Sequence, residues 1–235
     1  MIKEYWDDVD PDKRPRIARE DEAAVMVERP TLEEVFPEDL ARTRTLTVGC
    51  DDHEPPMELA RRGARVVVVD PDEDSLDGLF QSMACEGLEA ELMVNEPQDL
   101  SAIPDGSVGL VTTGAIVNRV PQLDVLYKEF LRVLSPGGAL MVITPHPLVS
   151  GGHGITSDTG KSQWLVDNYF SPTKAGRQYA LEEHVSALNI AGFYLERLLE
   201  PRPDPRTRTI NTTSWNLFNR IPQLMVMIAR KPRQA

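Results

Sequence analysis

The sequence predicts a single α/β domain in which helices alternate with the strands of a mostly parallel sheet. The strongest evidence is the segment 45–75, where the short β-rich run Thr45–Val48 ends at Gly49 and leads into a helix and a second strand, Arg65–Val69. Consecutive β-branched residues, as in Arg65–Val69, are typical of a parallel strand that is buried on both faces. Further strands and helices alternate from there to the end of the chain, which is the pattern of an α/β fold.

The other elements are predicted from periodicity and from the residues that begin and end helices. Pro55 and Pro56 suit a first helical turn, so we expect a helix over Met57–Arg62 that ends at Gly63. Further helices are expected over Asp72–Ala84, Leu123–Leu134 and Ala180–Ala191. Further strands are expected over Glu89–Val94, Ser107–Thr113, Ala139–Thr144, Tyr194–Glu200 and Gln223–Arg230.

Two segments stand outside this alternation. Residues 1–29 are highly charged, and residues 1–40 are expected to form an N-terminal arm or cap. Pro145–Gln178 is a long, glycine-containing stretch with no periodicity, which we expect to be an irregular, mobile lid inserted over the carboxyl edge of the sheet.

The segment 45–75 also has the layout of a nucleotide site. A glycine at the first turn, Gly49, lets the backbone approach a ligand closely. An acid at the tip of the second strand, Asp70, can accept hydrogen bonds from ribose hydroxyls. The sequence therefore predicts a nucleoside-containing ligand at this edge of the sheet.

Three segments resemble the class I S-adenosylmethionine (SAM)-dependent methyltransferase family. The segment 45–75 is similar to the family's cofactor motif, and LRVLSPGG at residues 131–138 matches its helix-to-strand boundary. The ending, AGFYLERLLEP followed by IPQLMVMIARKP, also fits. The resemblance implies a Rossmann-like three-layer αβα sandwich, with a mostly parallel sheet of about seven strands and one antiparallel strand near the C-terminus.

The resemblance also implies that SAM is the cofactor and that a small molecule accepts the methyl group. In the family, an acid near the end of the third strand binds the adenine amine, and Glu96 holds that position. The full set of residues implied to bind the cofactor is Gly49, Cys50, Asp51, Asp70, Pro71, Glu96 and Thr113.

The cofactor motif departs from the family pattern. Asp51 and His53 stand where the family has glycine, and Thr47 stands where it has an acid. Side chains then occupy space where the backbone would touch the ligand, and the two prolines that follow remove amides from the helix start. We therefore expect SAM binding to be weak or lost, unless Asp51 or Asp52 holds the SAM amino group in place of the missing acid.

Candidate catalytic residues lie in the lid and after the fourth strand. His146 and His153 are candidates for a general base, and Arg119 holds a position that lies near the cofactor sulfur in the family. His184 is expected on a helix surface. Cys50 and His53 have the spacing of two metal ligands, but two ligands without partners do not make a zinc site, so no metal is expected.

Candidate substrate-binding residues are one polar side chain and the aromatic residues of the lid. Aromatic side chains suit an apolar or aromatic acceptor. The residues in this group are Asn118, Trp164, Tyr169 and Phe170.

The composition restricts the class of ligand and the cellular compartment that we expect for the protein. The net charge of −12 argues against a nucleic-acid substrate, because phosphates attract basic surfaces. There is no apolar run long enough for a membrane span. The two cysteines, Cys50 and Cys85, give no disulfide framework, so a reducing cytoplasm is expected. A homodimer is compatible with the sequence.

Two other functions remain open at this point. The fold could catalyse a different reaction on a small molecule, with SAM absent or only structural. It could also be a non-catalytic partner subunit that has lost cofactor binding. The altered cofactor motif is compatible with both.

Overall fold

The structure of the protein is a computed structural model that describes residues 40–156, 162–170, 179–205, 208 and 212–233. The strands are β1 (Arg44–Val48), β2 (Arg65–Asp70), β3 (Ala90–Val94), β4 (Val108–Thr113), β5 (Leu134–Pro145), β6 (Gly152–Thr156), β7 (Ser162–Val166), β8 (Tyr194–Leu199) and β9 (Leu224–Arg230). The helices are α1 (Glu54–Arg61), α2 (Glu73–Glu86), α3 (Leu123–Val133), α4 (Pro147–Ser150), α5 (Leu181–Ala191) and α6 (Thr212–Phe218), with a 3₁₀ helix at Ala115–Asn118. The N-terminal arm expected over residues 1–40 lies almost wholly outside the described residues.

In the described part of the chain, seven strands form one sheet in the order β3-β2-β1-β4-β5-β9-β8. The neighbours from β3 to β5 pair in parallel, whereas β9 runs antiparallel to both β5 and β8. The predicted α/β fold, with one antiparallel strand near the C-terminus, is therefore confirmed.

Alternate residues of β2 show how the three layers form. Val67 and Val69 pack in one buried cluster that includes residues of α3 and α5. Val66 and Val68 pack in a second buried cluster that includes residues of α1 and α2. Since successive strand residues point to opposite faces, the β-branched run of β2 is buried by helices on both sides.

The carboxyl ends of β1 and β4 lie side by side at one edge of the sheet. Val48 is in register with Thr113, so the turn that follows β1 lies beside the loop that holds the 3₁₀ helix. The neighbouring β5 ends at Pro145 on the same edge. Open α/β sheets bind ligands at this edge, where consecutive crossovers leave on opposite faces.

The expectation of an irregular segment over Pro145–Gln178 is wrong for its described part. Helix α4 is followed by the antiparallel hairpin β6–β7. The Trp164 indole donates a hydrogen bond of 2.9 Å to the Leu148 carbonyl, and its ring lies 5.5 Å from that of Phe218 in α6. The hairpin is therefore held against both of its neighbouring helices.

The expected surface position of His184 is also wrong. His184 is buried in α5, on a stripe that it shares with Ala187, Leu188 and Ala191. Its Nδ1 lies 3.0 Å from the Tyr127 hydroxyl of α3. This contact joins the two helices that cover one face of the sheet.

No membrane-spanning helix is found in the described part of the chain, where every helix is too short or too polar to cross a bilayer.

Candidate functional site

A cavity of about 200 Å³ opens where β1, β4 and β5 end. Its lining combines hydroxyl, carboxylate and apolar groups from four loops and strand ends. The lining residues are Thr47, Gly49, Asp51, Asp52, Pro55, Thr112, Thr113, Gly114, Ala115, Ile116, Ile143, Pro145 and Leu224.

Gly49 is required at the first turn for two reasons. Its φ angle of +83° lies in the left-handed region that glycine adopts without strain. A Cβ atom on this residue would also lie 2.7 Å from Cγ2 of Ile116, in the 3₁₀ helix. The turn after β1 and the loop after β4 therefore pack in direct contact at the cavity.

Threonine hydroxyls from β1 and β4 meet at the cavity wall. Oγ1 of Thr47 lies 2.9 Å from Oγ1 of Thr112, and both side chains are buried. Thr113 donates a hydrogen bond of 2.8 Å to the Val48 carbonyl. The position where the family has an acid is thus filled by a neutral hydroxyl pair.

The two acids of the turn have different partners. Oδ2 of Asp51 accepts a hydrogen bond of 2.8 Å from the Arg119 guanidinium. Oδ1 of Asp52 accepts a hydrogen bond of 3.2 Å from the backbone N–H of Glu54, the first residue of α1. Both side chains line the cavity, which gives this end of the site a negative charge.

The expectation that His53 adds bulk to the site is wrong. His53 does not line the cavity, and its Nδ1 lies 3.1 Å from Oγ of Ser82 on α2. Its Cε1 lies close to Gly78 of the same helix. The imidazole therefore packs against α2.

The start of α1 is a poor site for an anion. Pro55 and Pro56 follow Glu54 and carry no N–H, and the Glu54 N–H is bound by Asp52. The amides that a helix start normally offers to an anion are therefore absent or already bonded.

The Asp70 carboxylate joins the turns after β1 and β2. Its Oδ2 accepts a hydrogen bond of 2.7 Å from the backbone N–H of Cys50, and its Oδ1 accepts one of 2.8 Å from that of Asp72. Burial and the nearby Asp70 raise the pKa of the Cys50 thiol to about 12, so Cys50 stays protonated at neutral pH.

Of the residues expected to bind the cofactor, Gly49, Asp51 and Thr113 line the cavity. The other four lie outside its lining. Cys50 and Asp70 are buried next to it, whereas Pro71 and Glu96 are exposed beyond it. Roles of these four in cofactor binding stay predictions.

The two candidate bases lie outside the cavity lining. Nδ1 of His146 accepts a hydrogen bond of 3.2 Å from the N–H of Leu148, and its Nε2 lies 3.1 Å from Oε1 of Glu200. Burial lowers the pKa of His146, although Glu200 acts in the opposite direction. Both ring nitrogens of His146 are thus engaged, and its role as a base stays a prediction. Nδ1 of His153 lies 3.7 Å from Oδ1 of Asp167.

The expected substrate-binding residues are also outside the lining. Nδ2 of Asn118 donates a hydrogen bond of 2.8 Å to Oγ1 of Thr144. Tyr169 and Phe170 stack edge to face with ring centroids 4.8 Å apart, and Phe170 is 87% exposed. Trp164 anchors the hairpin as described above. Their contact with a substrate stays a prediction.

Several lining residues were missed by the sequence reasoning. Ile116, Ile143 and Leu224 bring apolar surface to the cavity from the 3₁₀ helix, β5 and β9. These residues lie at or just beyond strand ends, and strand ends on one edge of a sheet meet in space. Their positions in the sequence could therefore have identified them as lining residues.

Within the described residues, no group of three or more His, Cys, Asp or Glu side chains is placed to hold a metal ion.

Comparisons with known proteins agree with this topology. Residues 46–142 match the family model described as a methyltransferase domain. A ubiquinone biosynthesis O-methyltransferase from Xanthomonas oryzae pv. oryzae is 32% identical over 110 residues, which cover 45% of this chain and 44% of that protein. The chain therefore matches less than half the length of this relative.

Solved structures show the same fold at low sequence identity. A SAM-dependent methyltransferase from Mesorhizobium loti superposes with a TM-score of 0.69 at 19% identity, covering 86% of this chain and 98% of that one. A geranyl diphosphate C-methyltransferase from Streptomyces coelicolor, solved with S-adenosyl-L-homocysteine (SAH), gives a TM-score of 0.58 at 17% identity, covering 84% and 78%.

Proposed function

We propose that the chain is a class I SAM-dependent methyltransferase that transfers a methyl group from SAM to a small molecule, because residues 46–142 match the methyltransferase domain model and the sheet has the fold of solved SAM-dependent methyltransferases. The observation that carries this proposal is the cavity at the ends of β1, β4 and β5, which has carboxylates at one end and apolar surface beside them. SAM has a cationic ammonium and a cationic sulfonium, so acids at its binding site favour it electrostatically.

The residues present fit SAM at its amino-acid end. Asp51 and Asp52 can accept hydrogen bonds from the SAM ammonium. They would thus take the place of the acid that the family has at the position of Thr47. Gly49 keeps the first turn free of a side chain. Asp70 accepts a hydrogen bond from the Cys50 amide and so links the turn after β1 to the end of β2.

When bound, SAM would supply an activated methyl group: the acceptor atom would bond to the methyl carbon as the carbon–sulfur bond of the sulfonium breaks, which would leave SAH and release the acceptor's proton. The chain's own contribution is to hold the two reactants close and to exclude water. Pro55, Ile116, Ile143, Pro145 and Leu224 supply the apolar surface for that purpose.

The acceptor we propose is a hydroxyl group on an apolar or aromatic small molecule. The apolar lining supports this, as does the similarity to a ubiquinone biosynthesis O-methyltransferase. The net charge of −12 argues against nucleic acid. We also propose a reducing, cytoplasmic setting for a single methyltransferase domain, because no disulfide framework is present in the sequence.

The proposal is tested by incubating the protein with methyl-labelled SAM and a panel of phenols, catechols and aliphatic alcohols. Label should appear in a low-molecular-weight product. A Gly49→Ala variant should lose this transfer, whereas Gly87→Ala, at a distant turn with open space around it, should keep it. Absence of labelled product with every acceptor, in protein that binds SAM, would contradict the proposed reaction.

A further inference from the structure

A surface ion pair lies at the edge of the cavity. Asp51 lines the cavity, and its carboxylate is paired with the guanidinium of Arg119, the residue that follows the 3₁₀ helix. The two side chains are 42% and 56% exposed. Exposed ion pairs contribute little to stability, so a ligand can separate this pair at small cost.

The cavity offers binding groups for a cation but not for an anion. Among the residues that the structure describes, its lining contains two carboxylates and no basic side chain. The start of α1 has no unbonded amide in its first three residues, because of Pro55, Pro56 and the bond from Glu54 to Asp52. A zwitterionic amino-acid group bound here would therefore find partners for its ammonium but none for its carboxylate within the lining.

Arg119 is the cation placed to supply that partner. Its guanidinium lies 2.8 Å from the Asp51 carboxylate, so it reaches the same end of the cavity. We propose that Arg119 binds the carboxylate of the SAM amino-acid group while Asp51 binds its ammonium. The ligand's two charges then replace the internal ion pair with two pairs of opposite charge. This inference rests on the proposed function.

The experiment compares three ligands by calorimetric titration. SAH carries both charged groups, its decarboxylated analogue lacks only the carboxylate, and 5′-methylthioadenosine lacks both. Arg119→Gln should weaken SAH binding by roughly tenfold or more, since a charge-assisted pair is lost. The same variant should bind the other two ligands within about twofold of the unmodified protein. Arg119→Lys, which keeps the charge, should recover part of the SAH affinity.

A matched control uses Arg230→Gln. Arg230 also pairs with a carboxylate, since its Nε lies 2.6 Å from Oε2 of Glu196. It pairs with Ala139 of β5, however, and so lies away from the end of β5 that borders the cavity. This variant should bind all three ligands normally. Equal SAH affinity in Arg119→Gln and the unmodified protein would overturn the inference alone, as would equal weakening of all three ligands. Failure of the unmodified protein to bind any of them would overturn the proposed function as well.

Discussion

The Asp70 carboxylate and the Cys50 backbone amide are joined by a hydrogen bond of 2.7 Å between buried groups. This bond ties the tip of β2 to the turn after β1, the two segments on which the cofactor motif lies. An acid expected to bind ribose thus has a structural role in the site before any ligand arrives.

Asp70→Asn should lower the free energy of unfolding by roughly 1–3 kcal/mol, because an amide group would replace one of two acceptors and leave a buried N–H without a partner. Urea denaturation measures this loss. Asp77→Asn, at an exposed acid on α2, is the control and should change stability by less than about 0.5 kcal/mol. Equal stability of the two variants would refute the role given to the Asp70 bonds.

Gly49→Ala should destabilise the protein by about 2–5 kcal/mol, since it combines a left-handed backbone with a clash against Ile116. Gly87→Ala isolates the first of these costs. Gly87 has a φ angle of +67° and open space around it, so we expect a loss of only about 1 kcal/mol. Thermal melting of both variants measures the two losses of stability. Similar losses would show that Ile116 moves aside at little cost.

Asp51 and His53 replace family glycines but should differ in effect. Asp51→Gly should weaken SAH binding by about 1–2 kcal/mol, because it removes a carboxylate from the cavity. His53→Gly should leave SAH affinity nearly unchanged, since its ring packs against Ser82 and Gly78 of α2. Calorimetry on the two single variants separates the effects. Stronger binding by Asp51→Gly would mean that the site has decayed and has not been rebuilt.

The sequence was sufficient for the sheet because its strands are runs of β-branched and apolar residues, as in Arg65–Asp70. It was not sufficient for the hairpin, whose strands GHGIT and SQWLV are short, polar and partly glycine. The Asp51–Arg119 pair could not be read from one sequence, because 68 positions separate the two residues.

The burial of His184 was within reach of the sequence. It begins the stripe that continues with Ala187, Leu188 and Ala191, at the i, i+3, i+4 and i+7 spacing of a buried helix face. Its residue type suggested a surface position instead. The Tyr127 hydroxyl provides a hydrogen-bond partner for Nδ1 of the buried ring, whereas Nε2 has none among the described residues.

Protonation of His184 should destabilise the fold. Burial lowers its pKa from 6.5 to about 4, so the unfolded chain binds this proton more readily than the folded protein does. Stability should therefore fall as pH decreases from about 6.5 towards 4, by roughly 3 kcal/mol from this residue.

His184→Gln tests that pH dependence, since glutamine keeps a hydrogen-bonding group beside Tyr127 but does not titrate. Urea denaturation at pH 7.5 and pH 5 should show a smaller loss of stability in the variant than in the unmodified protein. The difference in stability between the variant and the unmodified protein at pH 7.5 measures any packing defect that the substitution causes. Identical losses in the two proteins would rule out His184 as a source of acid sensitivity.

We infer that this fold binds SAM through the acid-lined cavity, and a calorimetric titration of the unmodified protein with SAH tests that binding without any substitution. We expect saturable binding at one site per chain, with lower affinity in Asp51→Gly and unchanged affinity in Arg230→Gln. No heat of binding from protein that melts cooperatively, at SAH concentrations up to the millimolar range, would contradict the claim.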